Sequence, residues 1–232
     1  MARSRRNLAL AAAALLVLAA GPAAAAKAKP KAAAPAAAAK PGVPADAVTG
    51  DMSLGNPKAR VHVIEYASAS CPHCAHFNEE VFPAFKAKYV DTGRVFYTLK
   101  EYLTPPEDVA SAGFLLARCG GKAKYFTVLD QVFRSQAQWQ TTPIYQVFVK
   151  IGQANGLSED QVKACITDEA AATAQQTRVI ASVQTDKVQS TPTFDINGKR
   201  IEGAAPLSDL DAAIAAAETA APKAPVRKAK KR

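Results

Sequence analysis

A second metal-ligand cluster, a nucleotide-binding glycine loop and a Ser–His–Asp arrangement are all missing from this chain of 232 residues. Its three histidines and four cysteines supply one close group, Cys71, His73, Cys74 and His76. A zinc site built from that group needs ligands elsewhere, so no metal is expected, and no cofactor is implied. Four cysteines in a chain this long do not make a small disulfide-stapled scaffold either. The length suits one domain with a proper core, plus tails.

Negative charge is scarce at both ends. Residues 1–46 carry seven Lys/Arg and one acid, residues 221–232 carry six and none, and 47–220 hold 16 basic against 19 acidic residues. The formal charge of +9 therefore belongs to the termini, around a middle of net −3. That is poor support for a nucleic-acid-binding fold, and no specific nucleic-acid partner is expected. Arg3, Arg5 and Arg6 precede the apolar run Leu8–Ala20, and Ala24-Ala25-Ala26 follows as a cleavage site. Residues 1–26 thus have the three parts of a secretory signal peptide. The apolar run is short for a membrane span; the rival reading is an uncleaved N-terminal anchor. Residues 27–49, rich in Ala, Pro and Lys, read as a linker that cannot build a core. The basic tail 221–232 reads as solvated, with weak contact to an anionic membrane surface as the alternative. Export to an oxidising space fits a bacterial periplasm.

What is present is organised around Cys71-Pro72-His73-Cys74. It follows the apolar run Val61–Tyr66 and opens an amphipathic segment carrying Phe77, Val81, Phe82 and Phe85. Read as strand, loop and helix, this places Cys71 at the first turn of a helix. Unpaired N–H groups and partial positive charge there favour thiolate, the reactive form. Pro72 suits the first helical position. His73 can donate a hydrogen bond or carry charge beside the sulfur. Cys74, one turn further in, can close a small disulfide ring with Cys71. Three blander readings stand beside the redox one: a metal pair completed by His73 or His76, haem attachment, and an inert structural disulfide. Haem attachment suffers because Ala75, not histidine, follows Cys74.

Arg60–Tyr66 is nearly all apolar, as in a strand covered on both sides. Glu65 interrupts it, and a carboxylate there is either at the sheet edge or held for a reason. A helix over Pro72–Tyr89 is expected to break at Pro83. Arg94–Leu99 is a second strand, parallel to the first through a right-handed crossover. From Thr104 to Lys187 the periodicity is helical: a capping box at Thr104–Glu107, a stop at Gly120-Gly121, a start at Thr142-Pro143, and a cap at Ser158–Gln161. Thr191–Ile196 returns as a strand, Asn197-Gly198 turns a hairpin, and Leu207–Glu218 is a closing helix. The expected fold is α/β, with a sheet domain of residues 50–104 and 188–220 and a helical insertion of residues 105–187.

This order, with the dipeptide Pro72-His73 between the cysteines, resembles the DsbA-type thiol:disulfide oxidoreductases, which have a thioredoxin fold with an inserted all-helical subdomain. The resemblance covers about residues 50–218. It implies that Cys71 exchanges with substrate and that Cys74 is the buried resolving partner. It implies that Glu65, six residues before Cys71, is a buried acid that relays a proton for Cys74, with Lys100 as a candidate partner for it. It makes Pro192 a cis-proline facing the active site, with Thr191 beside it at the substrate-binding edge. Thr191 is a departure, since many oxidising members carry an apolar residue there and isomerase-type relatives carry threonine. Two spare cysteines in one subdomain of an exported protein, Cys119 and Cys165, suggest a structural disulfide; the alternative is two free buried thiols.

Three functions follow. The first is an exported oxidase that introduces disulfides into unfolded or reduced exported proteins and is reoxidised by a membrane quinone-linked partner. The second is a reductase or isomerase on the same fold. The third is a peptide-binding module with a vestigial disulfide.

Overall fold

Val61–Ala67 (β2) is the strand on which the sheet is assembled. The computed structural model describes residues 42–220. The expected signal peptide, residues 27–41 of the expected linker and the basic tail 221–232 lie outside the described residues. β2 pairs in parallel with Val95–Glu101 (β3) on one side and antiparallel with Thr193–Ile196 (β4) on the other. β4 pairs antiparallel with Lys199–Glu202 (β5), and Met52–Gly55 (β1) pairs antiparallel with β3. The order is β1-β3-β2-β4-β5. β2 and β3 are mostly buried along their length, as continuous apolar runs require. The β4–β5 turn is Asn197-Gly198, both with positive φ, 50° and 91°, which is the backbone a two-residue hairpin demands.

The helix after β2 breaks where its proline dictates. Pro72–Glu80 (α2) gives way to Phe82–Phe85 (α3) and then to a π-turn over Lys86–Val90; Pro83 has no N–H with which to continue the ladder. Between β3 and β4 stand the helices of the insertion: Glu107–Cys119 (α4), Gly121–Arg134 (α5), Ile144–Ala154 (α6), Glu159–Ile166 (α7) and Glu169–Gln184 (α8). α7 opens with the expected capping box, Ser158 with Gln161. The fourth expected helix is broken at Thr167-Asp168, where the Asp168 side chain accepts from Ala171 N and starts α8. Cys119 at the end of α4 is bonded to Cys165 of α7, 46 positions on. The closing helix is Leu207–Ala220 (α9).

Two expectations are corrected. Thr104 does not cap α4, which begins at Glu107 behind Pro106 with no side-chain cap. The Thr104 hydroxyl is engaged instead with Ser68 and Ser70. The linker also ends sooner than residue 49. Ala45–Val48 (α1) is helical, Ala47 is fully buried, and Val43 N donates to Asp168.

A buried charge cluster explains that early docking. Glu101, at the end of β3, accepts from Arg118 at 2.6 Å, Tyr125 at 3.0 Å, Arg178 at 2.9 Å and Gln175 at 3.2 Å. Arg118 also donates to the carbonyls of Ala47 and Gly50, and Arg178 to that of Val48. One carboxylate thereby ties the sheet, three helices of the insertion and the segment before β1. Each ion of a buried pair must be held by several hydrogen bonds to offset its lost hydration.

Candidate active site

The Ser68–Cys71 turn delivers the chain from β2 into α2. Cys71 N donates to Ser68 O at 3.0 Å, closing the turn. The hydroxyls of Ser68, Ser70 and Thr104 form a small knot: Thr104 N and Oγ1 lie 3.1 and 2.9 Å from Ser68 Oγ, and Ser70 Oγ donates to Thr104 O at 2.9 Å. Sequence reading missed Ser68 and Ser70 and gave Thr104 another role, because hydroxyls in a loop carry no periodic signal.

Cys71 is the N-cap residue of α2, in extended conformation at φ −80° and ψ 120°, and Pro72 takes the first helical position. The residue is 7% exposed. Cys74, in the first turn of α2, is fully buried. In the thiol form Cys71 Sγ donates to Thr191 O at 3.4 Å. The Cys71 thiol is depressed from 9.0 to about 5. The chief cause is a hydrogen bond from Cys74; burial opposes it, and Thr191 and the backbone N–H groups of His73 and Cys74 add to it. The open end of α2 contributes in the same direction. Cys74 is pushed the other way, well above its ordinary value, by burial, by its own donation to Cys71 and by the charges of Cys71 and Glu65. The two sulfurs are thus poised as one anion and one thiol.

The His73 backbone N–H faces the Cys71 sulfur, and the residue is exposed. Thr191–Pro192 is a cis peptide bond, and its position beside Cys71 is fixed by the Thr191 carbonyl contact and by Gly203 N donating to Pro192 O at 2.8 Å. The Thr191 hydroxyl is buried and makes no hydrogen bond among the described residues while Cys71 is a thiol; it is the side-chain donor that helps lower the Cys71 thiol toward its anion.

Glu65 lies on the central strand, 3% exposed, between Leu99 of β3 and Phe194 of β4. Burial raises its carboxyl from 4.5 to about 7; a hydrogen bond from Tyr97 O–H lowers it, and charge on Cys71 raises it. Tyr97 is itself buried, with Phe82, Phe85 and Phe126 rings within 6 Å of its centroid. Lys100 is not its partner. In the parallel register Glu65 stands beside Leu99 and Lys100 beside Tyr66. Successive side chains point to opposite faces, so Lys100 reaches Asp186 at 2.7 Å, which also accepts from Tyr66. The alternation Val95, Tyr97, Leu99 was the available signal for Tyr97, since it places that phenol on the buried face with Glu65.

Among the described residues no group of His, Cys, Asp and Glu is arranged to hold a metal ion. No described helix is long and apolar enough to cross a membrane.

The arrangement has counterparts. The thioredoxin family model matches residues 47–216. A Rickettsia prowazekii protein named as a protein-disulfide oxidoreductase is 35% identical over 156 residues, covering 66% of this chain and 56% of the relative. A similarly named Rickettsia bellii protein is 31% identical, covering 71% of this chain and 63% of its own. The chain thus spans less than two thirds of these curated relatives. Among solved structures, Wolbachia pipientis alpha-DsbA1 superposes with a TM-score of 0.67 at 26% identity, over 73% of this chain and 94% of that one. Bacillus subtilis BdbD superposes with a TM-score of 0.66 over 77% and 97%; at 18% identity it speaks for the fold.

Proposed function

Since the chain belongs to the thioredoxin family, in its DsbA-type branch of thiol:disulfide oxidoreductases, we propose that it is an exported enzyme that introduces disulfides into client proteins through Cys71 and Cys74. The observation that carries this reading is the sulfur of Cys71 at the open end of α2, beside Thr191-Pro192. In the oxidised enzyme a client thiolate attacks Cys71 Sγ, and the Cys71–Cys74 bond breaks. Cys74 leaves with the electron pair and takes a proton; Glu65, titrating near neutrality, is the group placed to supply it. A second client thiolate then attacks the client sulfur of the mixed disulfide, and Cys71 departs as the thiolate that its donors favour. The client loses two electrons, and the enzyme holds them as one thiol and one thiolate. A leaving group of low pKa departs readily, and a stabilised reduced form makes the disulfide an oxidant.

Clients are reduced or unfolded exported proteins, whose extended backbone lies along the edge at Thr191-Pro192. A membrane quinone-linked reoxidase restores the disulfide. Export follows from the signal-like residues 1–26. The test is oxidative refolding of reduced RNase: the parent chain drives it and a Cys71→Ser variant does not. Retained oxidation by that variant would end the reading. Thr191 favours a second reading, reductase or isomerase, because it is the residue type that isomerase-type relatives carry before the cis-proline; a measured potential near that of thioredoxin would select it.

A further inference from the structure

Gln136 stands just past α5, in the short 3-10 turn Gln136–Gln140 of the insertion. Its Nε2 donates to Ala69 O at 2.9 Å and to Cys71 O at 3.2 Å. Both partners are carbonyls, so the amide nitrogen must face them. Ala69 is fully buried, and a Cβ built on Gly113 of α4 would come within 3.0 Å of the Ala69 side chain. On its other side the same turn is tied to Thr104 through Ser68 and Ser70. Gln136 therefore closes the second half of a bracket around the three residues that lead into the nucleophile.

The Cys71 carbonyl also accepts the first helical bond of α2, from Ala75 N at 3.1 Å. Gln136 thus grips the peptide from which α2 begins, whose orientation decides where the N–H groups of His73 and Cys74 point. Resting on the exchange reaction proposed above, we infer that Gln136 is a positioning residue for it: from the helical insertion, one side-chain amide holds the Ala69–Cys71 turn so that the first N–H groups of α2 stay aimed at the Cys71 sulfur. The insertion then does more than cover the thioredoxin core, since it sets the geometry of the reactive thiol. General docking of α2 on α5 does not depend on Gln136. Asn78 Nδ2 donates to Asp130 at 2.7 Å, and Phe77 and Phe133 are buried in the common core.

The test is titration of Cys71 in the reduced protein, by thiolate absorbance and by alkylation rate, in Gln136→Met, Gln136→Glu and Asn78→Ala. Methionine keeps the length and loses both donors; glutamate points acceptors at acceptors. Since each pKa unit changes the thiolate fraction tenfold on the acid side, Gln136→Met is expected to slow alkylation near pH 5 by about three- to tenfold. Gln136→Glu slows it further, and Asn78→Ala, which cuts the same helix pair elsewhere, leaves it within about twofold. Parent-like titration in both Gln136 variants, or an equal shift in Asn78→Ala, would overturn the inference. The readout needs no client protein, so it is independent of whether RNase oxidation proceeds through Cys71. Near-ultraviolet circular dichroism confirms folding, and the glutamate isostere retains the test should methionine disturb the turn.

Discussion

In a Glu65→Gln background, stability of the fully reduced protein should rise with pH between about 5 and 8, and Cys71→Ser should remove that rise. Cys71 falls from 9.0 to about 5 on folding, so the unfolded state binds the extra proton across this window and stability increases with pH. The contribution is complete above the unfolded value and is lost as pH falls through about 5. Three pH units at 1.36 kcal/mol each give an upper bound of about 4 kcal/mol; solvent screening at the mouth of the site reduces this to about 2 kcal/mol. Glu65 acts in the opposite sense. Its folded value, about 7 against 4.5, gives stability that is present at low pH and disappears as pH rises through 7. Cys74, held well above its ordinary value, stays protonated across the window. The measurement is therefore a pair of urea-denaturation series, parent and Cys71→Ser, both carrying Glu65→Gln and both under reductant. The difference between them isolates the thiolate and should grow by about 2 kcal/mol from pH 5 to pH 8. Curves that stay parallel would refute the claim that folding stabilises this anion.

Three other outcomes are expected. Glu65→Gln should abolish an inflection near pH 7 in the rate of thiol exchange, and Tyr97→Phe should move that inflection to higher pH, because the phenol bond holds the carboxyl down; stopped-flow fluorescence across the range checks both. Arg118→Met should lower urea stability by about 3–5 kcal/mol, since it leaves Glu101 buried with a lost partner and frees the carbonyls of Ala47 and Gly50. In a Cys71→Ser/Cys74→Ser background, Cys119→Ala/Cys165→Ala should cost about 3–4 kcal/mol, the entropy of closing their loop, and should end any effect of reductant on the melting temperature.

Local chemistry wrote much of the frame in readable form. Val61–Tyr66 and Val95–Leu99 are strands because β-branched and aromatic residues fill them, Pro83 ends a helix wherever it falls, and Ser158 with Gln161 is a cap that needs no tertiary help. Asn197-Gly198 can turn a hairpin in isolation. The four-residue strand β1 and the single-turn α1 were not legible, since neither is long enough to show a period. They exist because β3 offers an edge and because Arg118 and Arg178 gather nearby carbonyls. Thr104 shows the reverse case: a sequence with the spacing of a cap whose hydroxyl is taken by Ser68 instead.

The candidate site divides along the same line. Alone, the order of residues determined which sulfur sits at a helix start, because a strand, a short loop and Pro72 leave no other place for Cys71. Folding decided what surrounds that sulfur. Thr191 comes from 120 residues away, Tyr97 is turned toward Glu65 and Lys100 away from it by strand alternation, and Gln136 arrives from the insertion. None of these meetings has a period or a motif, because each is a contact between faces whose register is set only when the sheet and the helices pack.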